Sequence, residues 1–166
     1  YLLNTYKEND LTYNAYGKGK LESQMAYHGN FKPYFEYIAD CLKKYSSQRD
    51  KQKGEAFVHG FTLALTSQCK FYRPISELGN DGGYADIFLS PLCDIYKDMV
   101  DSYIVELKYC KSNTNDEQAK QLFKEASEQI TRYADSDMVR ELVKTTKLHK
   151  LVVIYRGTEM IACEEI

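Results

Sequence analysis

The chain has no tryptophan, only 3 prolines in 166 residues, and no apolar run near the roughly 20 residues that cross a bilayer. The last absence excludes a membrane-spanning helix. No stretch reads as a charged start, an apolar run and a cleavage site. With Tyr1 rather than Met in first place, the sequence is expected to be a piece of a longer intracellular chain. Paired cysteines are missing as well. Cys41, Cys69, Cys93, Cys110 and Cys163 contain no C-x-x-C pair and make an odd total, which fits a reducing, cytoplasmic compartment. Their scatter lacks the clustered spacing of iron–sulfur ligands, so they are expected to be small buried hydrophobes. Nor is there an excess of basic charge. A net charge of −2 excludes a protein that coats nucleic acid through bulk electrostatics. Any phosphate-binding surface must be local. Lys43, Lys44, Arg49, Lys51 and Lys53 form one candidate stretch and Lys144, Lys147 and Lys150 another, each of which reads otherwise as a solvated face. Internal repeats and low-complexity tracts are also absent.

What is present is 43% hydrophobic content, enough for one domain with a continuous core. Fifteen tyrosines are expected to serve mostly as half-buried packing, with base stacking as the alternative. Residues 1 to 20 read as a tail or linker from an upstream region, and 21 to 166 as the domain. Helical spacing begins at Leu21. Phe35, Ile38, Ala39 and Leu42 then mark a helix over Phe31 to Tyr45, with Asn30 as its N-cap. A second helix, Glu55 to Thr66, puts Phe57, Phe61, Ala64 and Leu65 on one stripe. Three strands in a meander follow, over Phe71 to Glu77, Tyr84 to Leu89 and Tyr103 to Tyr109, with the Gly79 to Gly83 turn between the first two and Ser90 to Ser102 as a loop. Asp116 to Ala134 returns to helical spacing. Leu148 to Tyr155 is a further strand, and Met160 to Cys163 a short final one. The order ααβββαβ predicts an α/β fold, a mixed central sheet flanked by helices, because strand, crossover helix and strand favour parallel pairing.

The sharpest local feature is Tyr103-Ile104-Val105-Glu106-Leu107-Lys108-Tyr109, a hydrophobic strand that carries an acid and a base on one face. With 24 acidic residues and 17 lysines, about two acid-x-Lys triplets are expected by chance, whereas the chain holds one, and it lies in this strand. Charges in an apolar strand cost free energy unless partners compensate, so such pairs mark metal or catalytic sites or, alternatively, an ion pair at a sheet edge. Asp86 opens a second apolar strand, Asp86-Ile87-Phe88-Leu89, and neighbouring strands bring it beside Glu106. Two adjacent carboxylates repel unless one is protonated or a cation lies between them. Hard oxygen donors suit Mg²⁺ or Mn²⁺, and Lys108 beside them suits phosphodiester hydrolysis, where it positions or helps deprotonate water and stabilises charge on the phosphate.

Gly-x-x-Asp on one strand, Glu-x-Lys on the next and Gln129-Ile130-Thr131-Arg132-Tyr133 on the following helix resemble the PD-(D/E)XK nuclease superfamily, in particular its RecB-like branch with a Q-x-x-x-Y motif. Within that branch the chain is similar to nuclease domains that follow an AAA-ATPase-like domain in one polypeptide. The resemblance also takes in Glu55-Ala56-Phe57-Val58-His59-Gly60-Phe61 and Glu77, and so spans about residues 50 to 155. It departs from the pattern at Ala85, in place of the proline of the superfamily's name, and at Tyr84, where close relatives carry Gly-Arg before the strand.

The resemblance implies a restriction-endonuclease-like core and Mg²⁺-dependent cleavage of nucleic acid, with DNA as the expected substrate and an upstream ATPase domain as partner. Asp86 and Glu106 are then metal ligands with the Leu107 carbonyl as a third, and Lys108 is the catalytic lysine. Glu77, Glu55 and, after them, His59 are further candidates for metal or water contacts. Gln129 and Tyr133, four apart on one helical face, are expected to orient the site or contact substrate, or else to pack on the sheet. The competing expectation is a non-catalytic module of the same fold that partners an ATPase domain, and a purely structural domain is a third.

Overall fold

A computed structural model of the chain describes residues 15–47, 54–80 and 83–166. Three helices, α1 (Ala15–His28), α2 (Lys32–Tyr45) and α3 (Glu55–Thr66), precede strands β1 (Tyr72–Asn80), β2 (Gly83–Pro91) and β3 (Asp101–Cys110). Then come α4 (Asp116–Ala134), α5 (Asp137–Val143), β4 (Lys147–Arg156) and β5 (Glu159–Glu165). Among the described residues the strands form one sheet in the order β1-β2-β3-β4-β5. The first three make the expected antiparallel meander. The chain crosses over through α4 and α5 to place β4 parallel to β3, and β5 returns antiparallel.

β3 is central and covered on both sides, and nearly all of its residues are buried, polar ones included. On one side α1, α2 and α3 bury Met25, Phe35, Ile38, Leu42 and Val58 against Ile87, Tyr103, Val105, Leu107 and Leu151. On the other, Ala126, Ile130 and Tyr133 of α4 and Val139 of α5 pack on Phe88, Ile104, Val152 and Ile154. Each large apolar side chain removed from water contributes about 1.5–3 kcal/mol, so these two layers hold β3 in place. α4 keeps its predicted limits because Asn115 and Gln118 form a reciprocal cap, Asn115 Oδ1 accepting from Gln118 N at 2.8 Å and Gln118 Oε1 from Asn115 N at 3.3 Å.

Several expectations are corrected. α1 starts at Ala15, not Leu21, so the predicted tail gives up its last residues to the fold; residues 1–14 lie outside those described. The signal was hidden because the buried side of α1 includes Lys18 and Glu22, ion-paired at 3.5 Å, with Lys18 also donating to Gln68. At α2 the cap is Phe31 rather than Asn30, with no side-chain hydrogen bond; Pro33 in the first turn fixes the start instead. The buried face of α3 is Val58, Thr62 and Thr66, not the predicted aromatic stripe, since Thr66 Oγ1 donates to Thr62 O at 2.9 Å and can therefore be buried. Ala64 is exposed and Phe57, Phe61 and Leu65 are half-buried. The short helix α5, capped by Ser136 accepting from Val139 N, was not anticipated. β2 and β3 extend further into the predicted loop than their patterns indicate, and β5 is longer than expected. All five cysteines are free, with Cys69, Cys110 and Cys163 buried. Of the basic stretches, Lys43 pairs with Glu159 and Lys144 with Asp94, while Arg49, Lys51 and Lys53 lie outside the described residues.

A second buried polar group ties the ends of three strands together. His149 of β4 is 4% exposed, with Nε2 2.7 Å from Asp101 Oδ1 of β3 and Nδ1 2.9 Å from Glu165 Oε1 of β5. Its ring stacks on Tyr103 at 4.9 Å. The α1–α2 turn comes close enough that a Cβ on Gly29, at φ +65°, would lie 3.4 Å from the ring. Removing the imidazole would leave the buried Asp101 carboxylate without its partner. His149→Ala is therefore expected to cost about 3 kcal/mol in urea unfolding; a change below about 0.5 kcal/mol would contradict the contribution assigned to this cluster.

Candidate active site

Along β3, Tyr103, Val105 and Leu107 point to the α1–α3 layer and Ile104 to α4. Alternation puts Glu106 and Lys108 on the α4 side with Ile104. Glu106 is 0% exposed. Its Oε1 accepts a hydrogen bond from Lys108 Nζ at 2.7 Å, and its Oε2 is buried with no hydrogen-bond partner among the described residues. An orphaned buried carboxylate oxygen costs free energy unless something is meant to meet it.

Asp86 approaches from β2 at the point where the two strands part. The β2–β3 pairing runs from Leu89–Tyr103 to Ile87–Val105. Beyond it the Asp86 side chain bridges the strands, its Oδ2 accepting from Leu107 N at 2.7 Å in the position of a ladder carbonyl. Electrostatics follow from this crowding. Burial first, and then the Asp86 charge, push the Glu106 carboxyl up to about 7, against the opposing pull of Lys108. Desolvation acts to lower the Lys108 pKa, but the hydrogen bond and charge of Glu106, with the charges of Asp86 and Glu55, outweigh it and leave the ammonium above its ordinary value. Lys108 therefore stands as a proton donor at neutral pH, not as a free base.

α3 meets this cluster from behind. Gly54, at φ +59°, lies against Tyr109, where an added Cβ would come within 3.3 Å of the ring, and this close approach brings the start of α3 to the residue next to Lys108. Glu55 is exposed there and contributes its charge to Lys108. One turn on, His59 Nε2 lies 3.1 Å from the Asp86 backbone oxygen and 3.3 Å from Ser76 Oγ of β1. The side chain of Glu77 lies outside the described residues. The structure thus gathers Asp86, Glu106, Leu107 and Lys108, with Glu55 beside them and His59 behind Asp86. Gln129 and Tyr133 form a pair of their own on α4, Gln129 Nε2 donating to the Tyr133 hydroxyl at 3.1 Å, with Tyr133 packed on the sheet. Sequence reasoning missed Ser76, which becomes visible only once β1 is placed beside α3.

A family model described as the PD-(D/E)XK nuclease superfamily matches residues 53–165. The chain belongs to this superfamily. The match runs from the start of α3 to the end of β5 and so takes in every strand of the sheet, which makes the mixed five-stranded architecture the restriction-endonuclease-like fold. Neither a search of the curated proteins nor one of the solved structures gives a match. Members of the PD-(D/E)XK superfamily are generally nucleases and usually use divalent metals, so membership points to nuclease activity.

The donor set fits a hard cation. Asp86 and Glu106 offer carboxylate oxygens, of which Glu106 Oε2 has no hydrogen-bond partner among the described residues, and a positive charge between them would relieve their mutual repulsion. Among the described residues no three His, Cys, Asp or Glu side chains converge into a cage.

The raised Glu106 pKa has a definite sign in stability. Because the folded value of about 7 exceeds the reference 4.5, the group favours folding fully below about pH 4.5, and that contribution is lost as pH rises through 7. Between pH 5 and pH 8 the metal-free wild type is expected to lose about 2 to 3 kcal/mol relative to Glu106→Gln in denaturant unfolding. Parallel pH profiles for the two proteins would contradict the assignment.

Proposed function

We propose that this domain is a Mg²⁺- or Mn²⁺-dependent nuclease that hydrolyses phosphodiester bonds of DNA. The observation that carries the reading is the fully buried Glu106, with one oxygen bound to Lys108 and the other without a hydrogen-bond partner among the described residues, beside Asp86 where the β2–β3 pairing ends. Packing alone does not explain why a buried carboxylate on this strand should keep one oxygen, Oε2, without a hydrogen-bond partner among the described residues.

In this reading Asp86, Glu106 and the Leu107 carbonyl would hold the cation, with Glu55 as a further candidate for a metal or water contact; Glu77, the other such candidate, has its side chain outside the described residues. When bound, the cation supplies Lewis-acid polarisation of a phosphate oxygen and lowers the pKa of a water molecule. The chain's own groups do the rest. The Lys108 ammonium, kept protonated by its acidic neighbours, donates to the attacking water or to a non-bridging oxygen and stabilises the charge that builds on phosphorus. Water oxygen bonds to phosphorus and gives up a proton to solvent as the P–O bond to the leaving sugar oxygen breaks and that oxygen takes a proton from solvent. Gln129 and Tyr133, already bonded to each other, orient the substrate strand from α4.

Two further elements complete the reading. A net charge of −2 supplies little attraction for a polyanion, which supports delivery of DNA by an ATPase-like domain of the same polypeptide. Five free cysteines support a cytoplasmic setting, and among the described residues no helix is long and apolar enough to cross a membrane.

The test is cleavage of single- and double-stranded DNA with Mg²⁺ or Mn²⁺. Glu106→Ala and Lys108→Ala are each expected to lower the rate by about 100-fold or more, and a chelator to abolish it. Undiminished cleavage by either variant would place the activity elsewhere.

A further inference from the structure

The histidine on α3 is the polar group nearest the site that the proposed chemistry leaves without a task. Its geometry defines one. The contact from His59 Nε2 to the Asp86 backbone oxygen, 3.1 Å, is a hydrogen bond only when Nε2 carries a proton, because a carbonyl oxygen has none to give. Ser76 Oγ, at 3.3 Å from the same nitrogen, then accepts as well. With its Nε2 lone pair taken up by the N–H bond, this nitrogen cannot ligate a metal. We propose that His59 is instead a positioning residue, which fixes the backbone at Asp86 and thereby the direction of its carboxylate.

β1 pairs with β2 on either side of Asp86, at Ser76–Ile87 and Leu78–Ala85, but on the β3 side the support is different. The β2–β3 pairing ends at Ile87–Val105, so Asp86 lies one residue past the last pair and no longer takes its position relative to β3 from the ladder. Two bonds of a different kind are seen there. The carboxylate Oδ2 accepts from Leu107 N at 2.7 Å on the β3 side, and the main-chain oxygen accepts from His59 on α3. Together they hold the residue at both its ends, so that the remaining oxygen lone pairs keep a fixed direction. α3 is itself anchored for this task by Val58, 2% exposed, one position before the histidine, and by Gly54 against Tyr109 at its start. A group that orients a metal ligand typically changes affinity or activity 10- to 100-fold when it is removed.

This inference rests on the reading of Asp86 as a metal ligand, and the experiment separates the two. Mn²⁺ alone is titrated calorimetrically into the wild-type chain and into His59→Gln and His59→Met. Glutamine keeps an N–H donor at similar reach, whereas methionine keeps the bulk without the donor. The predicted result is Mn²⁺ binding weakened about tenfold or more in His59→Met and restored to within about threefold of wild type in His59→Gln. Cleavage should divide in the same way, with the loss in kcat and little change in KM for DNA. Equal Mn²⁺ affinity in wild type and both variants would overturn the positioning role and leave the metal site intact. No Mn²⁺ binding by the wild type would overturn both. If His59→Met does not fold, the imidazole nitrogen shifts of wild type decide: a spectrum in which Nε2 bears no proton overturns the proposal, and the Nε2–H form supports it.

Discussion

One carboxylate with no access to water sets the terms for the rest of the molecule. Glu106 lies in the middle of β3, between two packed layers, where a full charge costs far more than a neutral acid. The features around it answer that cost in different ways. Lys108 supplies a short charge-assisted bond from two residues away. Asp86 does the opposite and raises the cost by bringing a second negative charge. A fold selected only for stability would have little reason to bring two carboxylates together in a buried place, since like charges there raise each other's cost. On the proposed reading, a cation would meet the electrostatic demand of this arrangement.

The surrounding architecture makes this tension sustainable. β3 can carry the strain because it is the middle strand, paired along its whole length with β4 and covered by α1–α3 on one face and α4 on the other. Its opposite end is tied by the His149 cluster to β5. At the Asp86 end the β2–β3 pairing stops, and there side-chain bonds from Asp86 and His59 stand beyond the last ladder pair. Rigidity and opening are thus divided along the length of a single strand.

Most of this framework was legible in the sequence because its parts have simple periods. The acid and base on one face of β3, the meander of β1 to β3 and the crossover through α4 all follow from alternation and from helical spacing. Illegible were the places where polar residues are buried with partners distant in sequence. α1 conceals its start because Lys18 and Glu22 satisfy each other, and α3 conceals its buried face because Thr62 and Thr66 turn inward. The bond from Asp86 to Leu107 N depends on where two strands separate, and the contacts of His59 and His149 depend on residues 27 and 48 positions away. No local pattern encodes such distances. A histidine in an amphipathic helix reads the same whether it packs, ligates or positions.

The central claim is that Glu106 is held near neutrality by burial and by Asp86 until a cation relieves it. Carboxyl carbon shifts of Glu106, followed through a pH titration with and without Mg²⁺, test it most directly. The account predicts a metal-free midpoint near 7 that falls by more than about one unit when Mg²⁺ is present, and an unchanged profile for Mg²⁺ in the Asp86→Ala variant. A metal-free midpoint at the ordinary 4.5, indifferent to Mg²⁺, would contradict it.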